Sequence, residues 1–299
     1  TQALAYELRN DPSVVVLGED VGVNGGVFRA TAGLSATFGT ERILDTPLDE
    51  TTIAGLTVGM ASQGMKPVAE AQFDGFVYPM VDHIICHAAR LRTRTRGRLH
   101  CPMVLRVPWG GGIRAPEHHS EANEAIFTNV PGLRVVMPSS PQRAYGLLLA
   151  AIRDPDPVIY MEPKRIYRQY KEVVADDGEA LPLDVCFVLR DGTDVTLVTW
   201  GAQVKEALEA ARGSAAEVIY VRSGEQRSTT LTPVWDAAAA QWRAGMWVRD
   251  SSAGVGTLTF VDPEKGVFAG LGHPISDGDT GESIALRSGE IVPCEITGC

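Results

Sequence analysis

The feature that most constrains the fold is an alternation of short apolar strands with helices along residues 1–180. The first predicted strand, Ser13–Leu17, is almost entirely apolar, which is typical of a strand covered on both faces in a parallel sheet. Four more strands are predicted at Pro67–Glu70, Met103–Val107, Leu133–Met137 and Val158–Met161. Helices are predicted at Gln2–Arg9, Thr51–Gln63, Pro79–Arg92 and Gln142–Arg153. This order predicts a doubly wound parallel α/β sheet, with ligands at the carboxyl ends of its strands.

The pattern changes after a charged, proline-marked stretch, Lys171–Asp184, which we interpret as a linker. Residues 186–212 predict one strand, Val195–Trp200, and one helix, Gln203–Arg212, an incomplete α/β unit that cannot cover both faces of its strand. Residues 213–299 predict a β-rich fragment of short strands separated by glycine-containing turns. Its predicted strands are Val218–Arg222, Ser228–Thr232, Gly245–Asp250, Val255–Phe260 and Val267–Leu271.

Composition narrows the class of protein. The 299 residues are 44% hydrophobic and carry 27 basic against 37 acidic side chains, a net charge of −10, which disfavours nucleic-acid binding. No apolar run approaches the ~18 residues of a membrane span, and the chain opens in a helical pattern without a signal sequence. Five cysteines without a CxxC pair make a disulfide framework or structural zinc site improbable, so we expect a cytoplasmic protein.

Two groups of polar residues are candidates for a site. Glu50 follows a turn made rigid by Pro47 and opens a helix of small residues, where a carboxylate can have a raised pKa and share a proton with a basic ring nitrogen. The structural alternative is a helix-start carboxylate stabilised by the helix dipole. His118 and His119 follow a glycine-rich loop and are either site residues or ordinary surface residues.

Six ordered motifs give residues 1–212 a family resemblance. This region resembles the β subunit of the decarboxylase component of 2-oxo acid dehydrogenases, of the pyruvate and branched-chain type. The matching runs are LGEDVGVNGGVFRAT (Leu17–Thr31), DTPLDE (Asp45–Glu50), VAEAQFDGFVYPMVDH (Val68–His83), PEHHSEANEAIF (Pro116–Phe127), PGLRVVMPSSP (Pro131–Pro141) and DPVIYMEPKRIYR (Asp156–Arg168).

The resemblance implies a transketolase-like domain that forms the pyrimidine-binding half of a thiamine diphosphate site. Glu50 matches the glutamate that bonds the aminopyrimidine ring, Phe76 an aromatic position that stacks on it, and His119 the histidine that faces the reacting substrate. It further implies that an α subunit completes the site within a heterotetramer and holds the magnesium ion. The substrate would be pyruvate or a branched-chain 2-oxo acid, and a lipoyl-bearing acyltransferase would accept the acyl group.

A second resemblance covers residues from about 222 onward, which look like part of a SpoIVB-type sporulation serine peptidase. The matching runs are RSGEQRSTTLTPV (Arg222–Val234) and AGMWVRDSSAGVGTLTFVDPEKGVFAGLGHPISDGDTG (Ala244–Gly281). His273 matches the general base of that family. The family's nucleophilic serine turn is not found before Cys299, so we interpret His273 as vestigial.

Three functions follow from these two resemblances. The first is a β-subunit core whose C-terminal domain has been replaced, with a junction between about 205 and 225. The alternatives are a peptidase fragment that lacks its nucleophile, and a non-catalytic interaction or scaffold chimera.

A run of arginines is either a solvated face or an interface for an acidic partner; its members are Arg90, Arg92, Arg94, Arg96 and Arg98.

Overall fold

The computed structural model describes most of the first two thirds of the chain and several short strands beyond. The described residues are 1–169, 171–193, 195–211, 216–222, 225–231, 234–236, 241–243, 256–262 and 267–272. The chain divides into two compact units, Thr1–Thr232 and Pro233–Cys299.

The first unit contains a six-stranded sheet in which every neighbouring pair is parallel. Its strands are β1 (Val14–Gly18), β2 (Ile43–Asp45), β3 (Lys66–Glu70), β4 (Val104–Trp109), β5 (Arg134–Val136) and β6 (Val158–Pro163). They lie in the order β2-β1-β3-β4-β6-β5. Non-sequential neighbours in a parallel sheet require crossover connections, so the predicted doubly wound architecture is confirmed.

Helices cover both faces of this sheet. The α-helices are α1 (Gln2–Asn10), α2 (Leu34–Phe38), α3 (Glu50–Ser62), α4 (Leu91–Arg94), α5 (Glu124–Thr128), α6 (Pro141–Arg153) and α7 (Val204–Ala210). One core cluster joins α1 and α6 to Val158 and Tyr160 of β6. The other joins α3 to Ile159 and Met161 of the same strand. Consecutive residues therefore alternate between two cores, which explains why runs such as Val158–Met161 are apolar at every position.

The segment predicted as one helix, Pro79–Arg92, is instead a series of short turns, and that prediction was wrong in detail. A 3₁₀ turn (Tyr78–Met80) leads into a π-helix (Asp82–His87), a second 3₁₀ turn (Ala88–Arg90) and then α4. Residues spaced by four, Met80, Ile84 and Ala88, are all buried. Positions i, i+4 and i+8 lie on one stripe of a helix, so the buried face that the sequence indicates is retained although the turns differ in width.

The incomplete α/β unit forms its helix but not its strand. Residues 195–200 have no strand structure, and α7 follows a 3₁₀ turn at Gly201–Gln203. The prediction of a strand at Val195–Trp200 was therefore wrong. A strand exists only as part of a hydrogen-bonded ladder, and none of the described strands pairs with this segment.

The remaining strands form three antiparallel pairs. In the first unit β7 (Ala216–Arg222) pairs with β8 (Glu225–Leu231), which confirms the predicted hairpin. In the second unit β9 (Val234–Asp236) pairs with β10 (Gln241–Arg243), and β11 (Gly256–Asp262) pairs with β12 (Val267–Gly272). The strand predicted at Gly245–Asp250 lies outside the described residues. The domain boundaries expected at residues 180, 186, 212 and 213 remain predictions.

The length and apolarity of the helices bear on membrane insertion. Within the residues that the structure describes, no helix is both long and apolar enough to cross a membrane.

Candidate active site at the carboxyl edge of the sheet

Four strands end at the same edge of the sheet, and the segments that follow them carry the candidate residues. Glu19 follows β1, the Phe73–Phe76 segment follows β3, the His-His-Ser segment follows β4, and Lys164 follows β6. Parallel strands place their carboxyl ends together, so residues far apart in sequence converge here.

Glu50 is the first residue of α3, at the position where the helix dipole favours a negative charge. Asp49 caps the helix, because its side chain accepts hydrogen bonds from the Thr52 amide (3.2 Å) and hydroxyl (2.5 Å). These bonds lower the pKa of Asp49. The Thr51 hydroxyl donates to the Pro79 carbonyl (3.5 Å) and links this helix start to the segment after Phe76. Glu50 itself is half-buried.

A second carboxylate, Glu19, accompanies Glu50 and was not predicted as a site residue. Its side chain is buried, and its Oε1 atom has no hydrogen-bond partner among the described residues. Burial raises the pKa of Glu19, and the neighbouring charges of Glu50 and Asp20 raise it further. A neighbouring like charge disfavours the ionised form of a carboxyl group, so Glu19 holds a proton more readily than an isolated glutamate does. The sequence carried one signal for Glu19, its position directly after a fully apolar strand.

Phe76 and His119 lie together in an aromatic cluster. Their ring centroids are 5.4 Å apart at 76°, and His119 also contacts Phe73 edge-on at 4.6 Å. His118 is more exposed and lies 6.3 Å from the Phe76 ring. No hydrogen bond or ion pair among the described residues joins Glu50 to either ring. The contact observed is that of Phe76 with His119, and Glu50 acts on Glu19 through its charge.

Backbone strain is concentrated around these residues. Asp20, Arg29, Arg114 and Glu117 have positive φ angles of 57°, 63°, 56° and 59°, which cost non-glycine residues on the order of 1 kcal/mol each. Two of them belong to the segment after β1, and two belong to the loop before His118. Such strain is typical of loops whose shape serves a site rather than stability.

The edge also contains buried charges. Burial lowers the pKa of Lys164 to about 8, although the nearby Asp74 favours its charged form. Its Nζ atom donates to the Pro108 carbonyl (3.1 Å) and lies 5.4 Å from the Phe73 ring centroid. Asp74 and Lys164 were not predicted as site residues. Both lie in runs that carry the family resemblance, but the resemblance assigned neither a role, and only the folded chain brings them together.

The run of arginines makes contacts of its own. Arg92 pairs with Asp156 (2.7 Å), while Arg90, Arg94 and Arg98 donate to backbone carbonyls. His273 lies outside the described residues. The described part of the chain contains no group of three or more His, Cys, Asp or Glu residues that could hold a metal ion.

Comparisons with known proteins agree with this geometry. The family model for the transketolase pyrimidine binding domain matches residues 1–169, and that for the SpoIVB peptidase S55 matches residues 240–299. A solved structure described as a split-gene transketolase, inactive beta4 tetramer, has a TM-score of 0.57. It is 21% identical and covers 71% of this chain and 63% of its own length, a similarity of fold alone.

Curated relatives are closer in sequence. The pyruvate dehydrogenase E1 component subunit beta of Acholeplasma laidlawii is 51% identical over 233 residues, 78% of this chain and 71% of that protein. The 2-oxoisovalerate dehydrogenase subunit beta of Bacillus subtilis (strain 168) is 49% identical over 226 residues, 74% of this chain and 69% of that protein. The peptidase and scaffold alternatives are not favoured by these matches. The chain therefore belongs to the thiamine-diphosphate-dependent family of pyruvate and branched-chain 2-oxo acid dehydrogenase β subunits.

Proposed function

We propose that this chain supplies the pyrimidine-binding half of a thiamine diphosphate site and acts with an α subunit in oxidative decarboxylation of a 2-oxo acid. The single observation that carries the proposal is the carboxyl edge of the sheet, where the charge of Glu50 acts on the buried Glu19 and Phe76 contacts His119. Thiamine diphosphate, when bound, supplies the carbanion stabilisation that loss of carbon dioxide requires.

The described residues fit the pyrimidine end of this cofactor. Glu50 is half-buried at a helix start and forms no ion pair with any described residue, so its carboxylate is free to accept from a ring nitrogen. The buried and unpartnered Glu19 Oε1 adds a second acceptor beside it. In this proposal Glu50 holds and moves the proton at the ring nitrogen, and Glu19 tunes its charge. Phe76 provides an aromatic surface for the ring.

His119 is proposed to face the substrate. Its ring is half-buried between Phe73 and Phe76, which limits its motion and leaves its nitrogen atoms to stabilise charge that develops on the 2-oxo acid. An α subunit would hold the magnesium ion and the diphosphate group. A lipoyl-bearing acyltransferase would accept the acyl group, and the compartment would be the cytoplasm. Whether the substrate is pyruvate or a branched-chain acid depends on a pocket formed with the α subunit.

The first test replaces the proposed proton carrier. In an assembly with a family α subunit, thiamine diphosphate, magnesium and a 2-oxo acid, Glu50→Gln should lower kcat at least ~100-fold. The assay measures decarboxylation with an artificial electron acceptor. Glu209→Gln on the exposed face of α7 is the matched control and should leave kcat unchanged. Near-normal turnover in Glu50→Gln would remove the proposed role, and α-subunit binding without wild-type turnover would favour a scaffold.

The second test compares the two adjacent histidines. His119→Ala should lower kcat more than His118→Ala, because His119 packs against both Phe73 and Phe76 whereas His118 is exposed. A difference of at least ~10-fold is expected, within the range of acid–base contributions. Equal losses, or the reverse order, would show that the wrong histidine has been assigned.

A further inference from the structure

A buried polar group that the proposed function does not use lies directly behind the aromatic cluster. The Asp74 side chain is fully buried, and its Oδ2 atom accepts a hydrogen bond from the Asn123 backbone amide (2.7 Å). The Asn123 side-chain amide donates in return to the Asp74 carbonyl (3.2 Å), and its oxygen accepts from the Tyr78 hydroxyl (3.2 Å). Three hydrogen bonds thus join the segment after β3 to the segment after β4.

The two residues that these hydrogen bonds join, Asp74 and Asn123, lie on either side of His119 in the sequence. Asp74 is between Phe73 and Phe76, the two rings that His119 contacts, and Asn123 follows His119 by four residues. The backbones also meet, because a Cβ atom at Gly75 would clash with the backbone of His118. The position of the His119 ring over Phe76 therefore depends on the attachment between Asp74 and Asn123.

We propose that Asp74 is a positioning residue, which, through the Asn123 amide, holds the His118–Ser120 segment against Phe76. The inference rests on the proposed function for its catalytic consequence, but the attachment itself is a property of this chain alone. A displacement of about 1 Å in a catalytic group can cost 10²-fold in rate. The remote carboxylate can therefore matter without touching the substrate.

The charge of Asp74 should control the strength of the attachment. Burial raises the pKa of Asp74 to about 6, against the Asn123 amide and Lys164, which lower it, while Glu124 and Glu121 add to the rise. Its Oδ1 atom has no partner among the described residues. The ionised carboxylate accepts a stronger hydrogen bond than the neutral acid. The attachment is therefore strongest above pH 6 and weakens as the pH falls through 6.

The remaining titratable groups around Asp74 belong to the same two segments. His118 and His119 lie across the aromatic cluster, and Tyr78 reaches Asp74 through Asn123. Because several titratable groups lie close together here, a change of rate with pH cannot by itself identify Asp74. The test needs a variant that removes only the titration of Asp74 and a signal that reports only on its hydrogen bond.

Asp74→Asn and Asp74→Ala separate position from charge. The asparagine keeps an oxygen that can accept from Asn123 but does not titrate, so kcat at pH 7.5 should stay within about threefold of wild type. The ratio of its kcat to that of wild type should rise between pH 7 and pH 5, because only wild type loses the ionised acceptor. The alanine should lower kcat roughly 10- to 100-fold while KM for the 2-oxo acid changes less than about threefold.

The second readout uses the full chain without α subunit or cofactor. The Asn123 amide proton, followed by ¹H–¹⁵N NMR, should shift with a midpoint near pH 6 in wild type and should not shift in that range in Asp74→Asn. Asp82→Asn, an exposed aspartate in the neighbouring π-helix, is the matched control and should leave the titration intact.

The outcomes distinguish this inference from the proposed function. A titrating Asn123 amide in a chain whose wild-type assembly never turns over would support the attachment and overturn the proposed function instead. An amide that does not titrate, or a wild-type kcat in Asp74→Ala, would overturn the inference. If Asp74→Ala does not fold, the asparagine variant still decides, because an unchanged kcat ratio across pH would overturn the inference.

Discussion

Two apolar segments of similar sequence differ in structure in this chain, because one forms a buried strand and the other forms no strand. Val14–Leu17 (VVVL) forms the centre of β1, and its four side chains are 0–1% exposed. Val195–Val198 (VTLV) forms no strand, and the side chains of Val195, Leu197 and Val198 are 73%, 51% and 75% exposed. Propensity is nearly the same in both. The difference is that β1 has a parallel neighbour on each side, so partners rather than composition decide whether a strand forms.

The charged residues repeat this contrast. Arg106 on β4 is 3% exposed and pairs with Glu70 (2.6 Å) on β3 and Glu162 (2.7 Å) on β6. The Tyr167 hydroxyl donates to Glu162 (2.6 Å). Arg165 pairs with Glu206 on α7, but both side chains lie in solvent contact, 39% and 55% exposed. The two Arg106 ion pairs link three neighbouring strands of the packed sheet, whereas the Arg165 pair joins the turn after β6 to α7.

The largest expected effect comes from removing the buried cation. Arg106→Ala should lower the free energy of unfolding by about 3–5 kcal/mol, because it leaves two carboxylates in the sheet without a counter-charge. Arg165→Ala should cost at most about 1 kcal/mol, as exposed pairs do. Urea unfolding followed by far-ultraviolet circular dichroism measures both. Equal losses would mean that the two regions are equally well packed.

A smaller effect is expected from two identical truncations of leucine. Leu17→Ala removes a fully buried side chain from β1 and should cost about 2–5 kcal/mol. Leu197→Ala should change stability by no more than about 0.5 kcal/mol. Hydrogen exchange should follow the same division, with slow amides before Arg168 and fast amides in residues 186–211. Uniformly slow exchange would contradict the comparison and indicate that these later residues belong to a packed domain.

Much of the fold was predictable because local signals and burial agree there. Apolar strands such as Val14–Gly18 correspond to one physical requirement, a strand covered on both faces. The short strand Ile43–Asp45 and the helices Leu34–Phe38 and Glu124–Thr128 were missed because they are too short to show a period. The π-helix at Asp82–His87 was missed because burial at a spacing of four residues suits an ordinary α-helix equally well.

The site was predictable only where motifs carry the chemistry. Glu50, Phe76 and His119 stand in motifs shared with a family, and the structure brings Phe76 and His119 into contact. Asp74, Asn123 and Lys164 come from three segments, and their roles depend on distances that a sequence does not contain. Glu19 is intermediate, because its place after an apolar strand was visible but its burial was not.

The smallest expected effect on stability concerns the N-termini of two helices. One is α6, which packs on the sheet, and the other is α7, which lies in the less buried region. Ser140 caps α6, and its hydroxyl accepts from the Arg143 amide (3.3 Å), so Ser140→Ala should cost about 1 kcal/mol of the free energy of unfolding. Gln203 precedes α7 without a side-chain cap, so Gln203→Asp should place a negative charge at the start of this helix and favour it by a few tenths of a kcal/mol. Because α7 lies in the less buried region, that gain should appear as slower exchange of its amides and leave the urea midpoint unchanged. A shifted midpoint would show that α7 unfolds together with the sheet, and the contrast between the two regions would then be one of exposure alone.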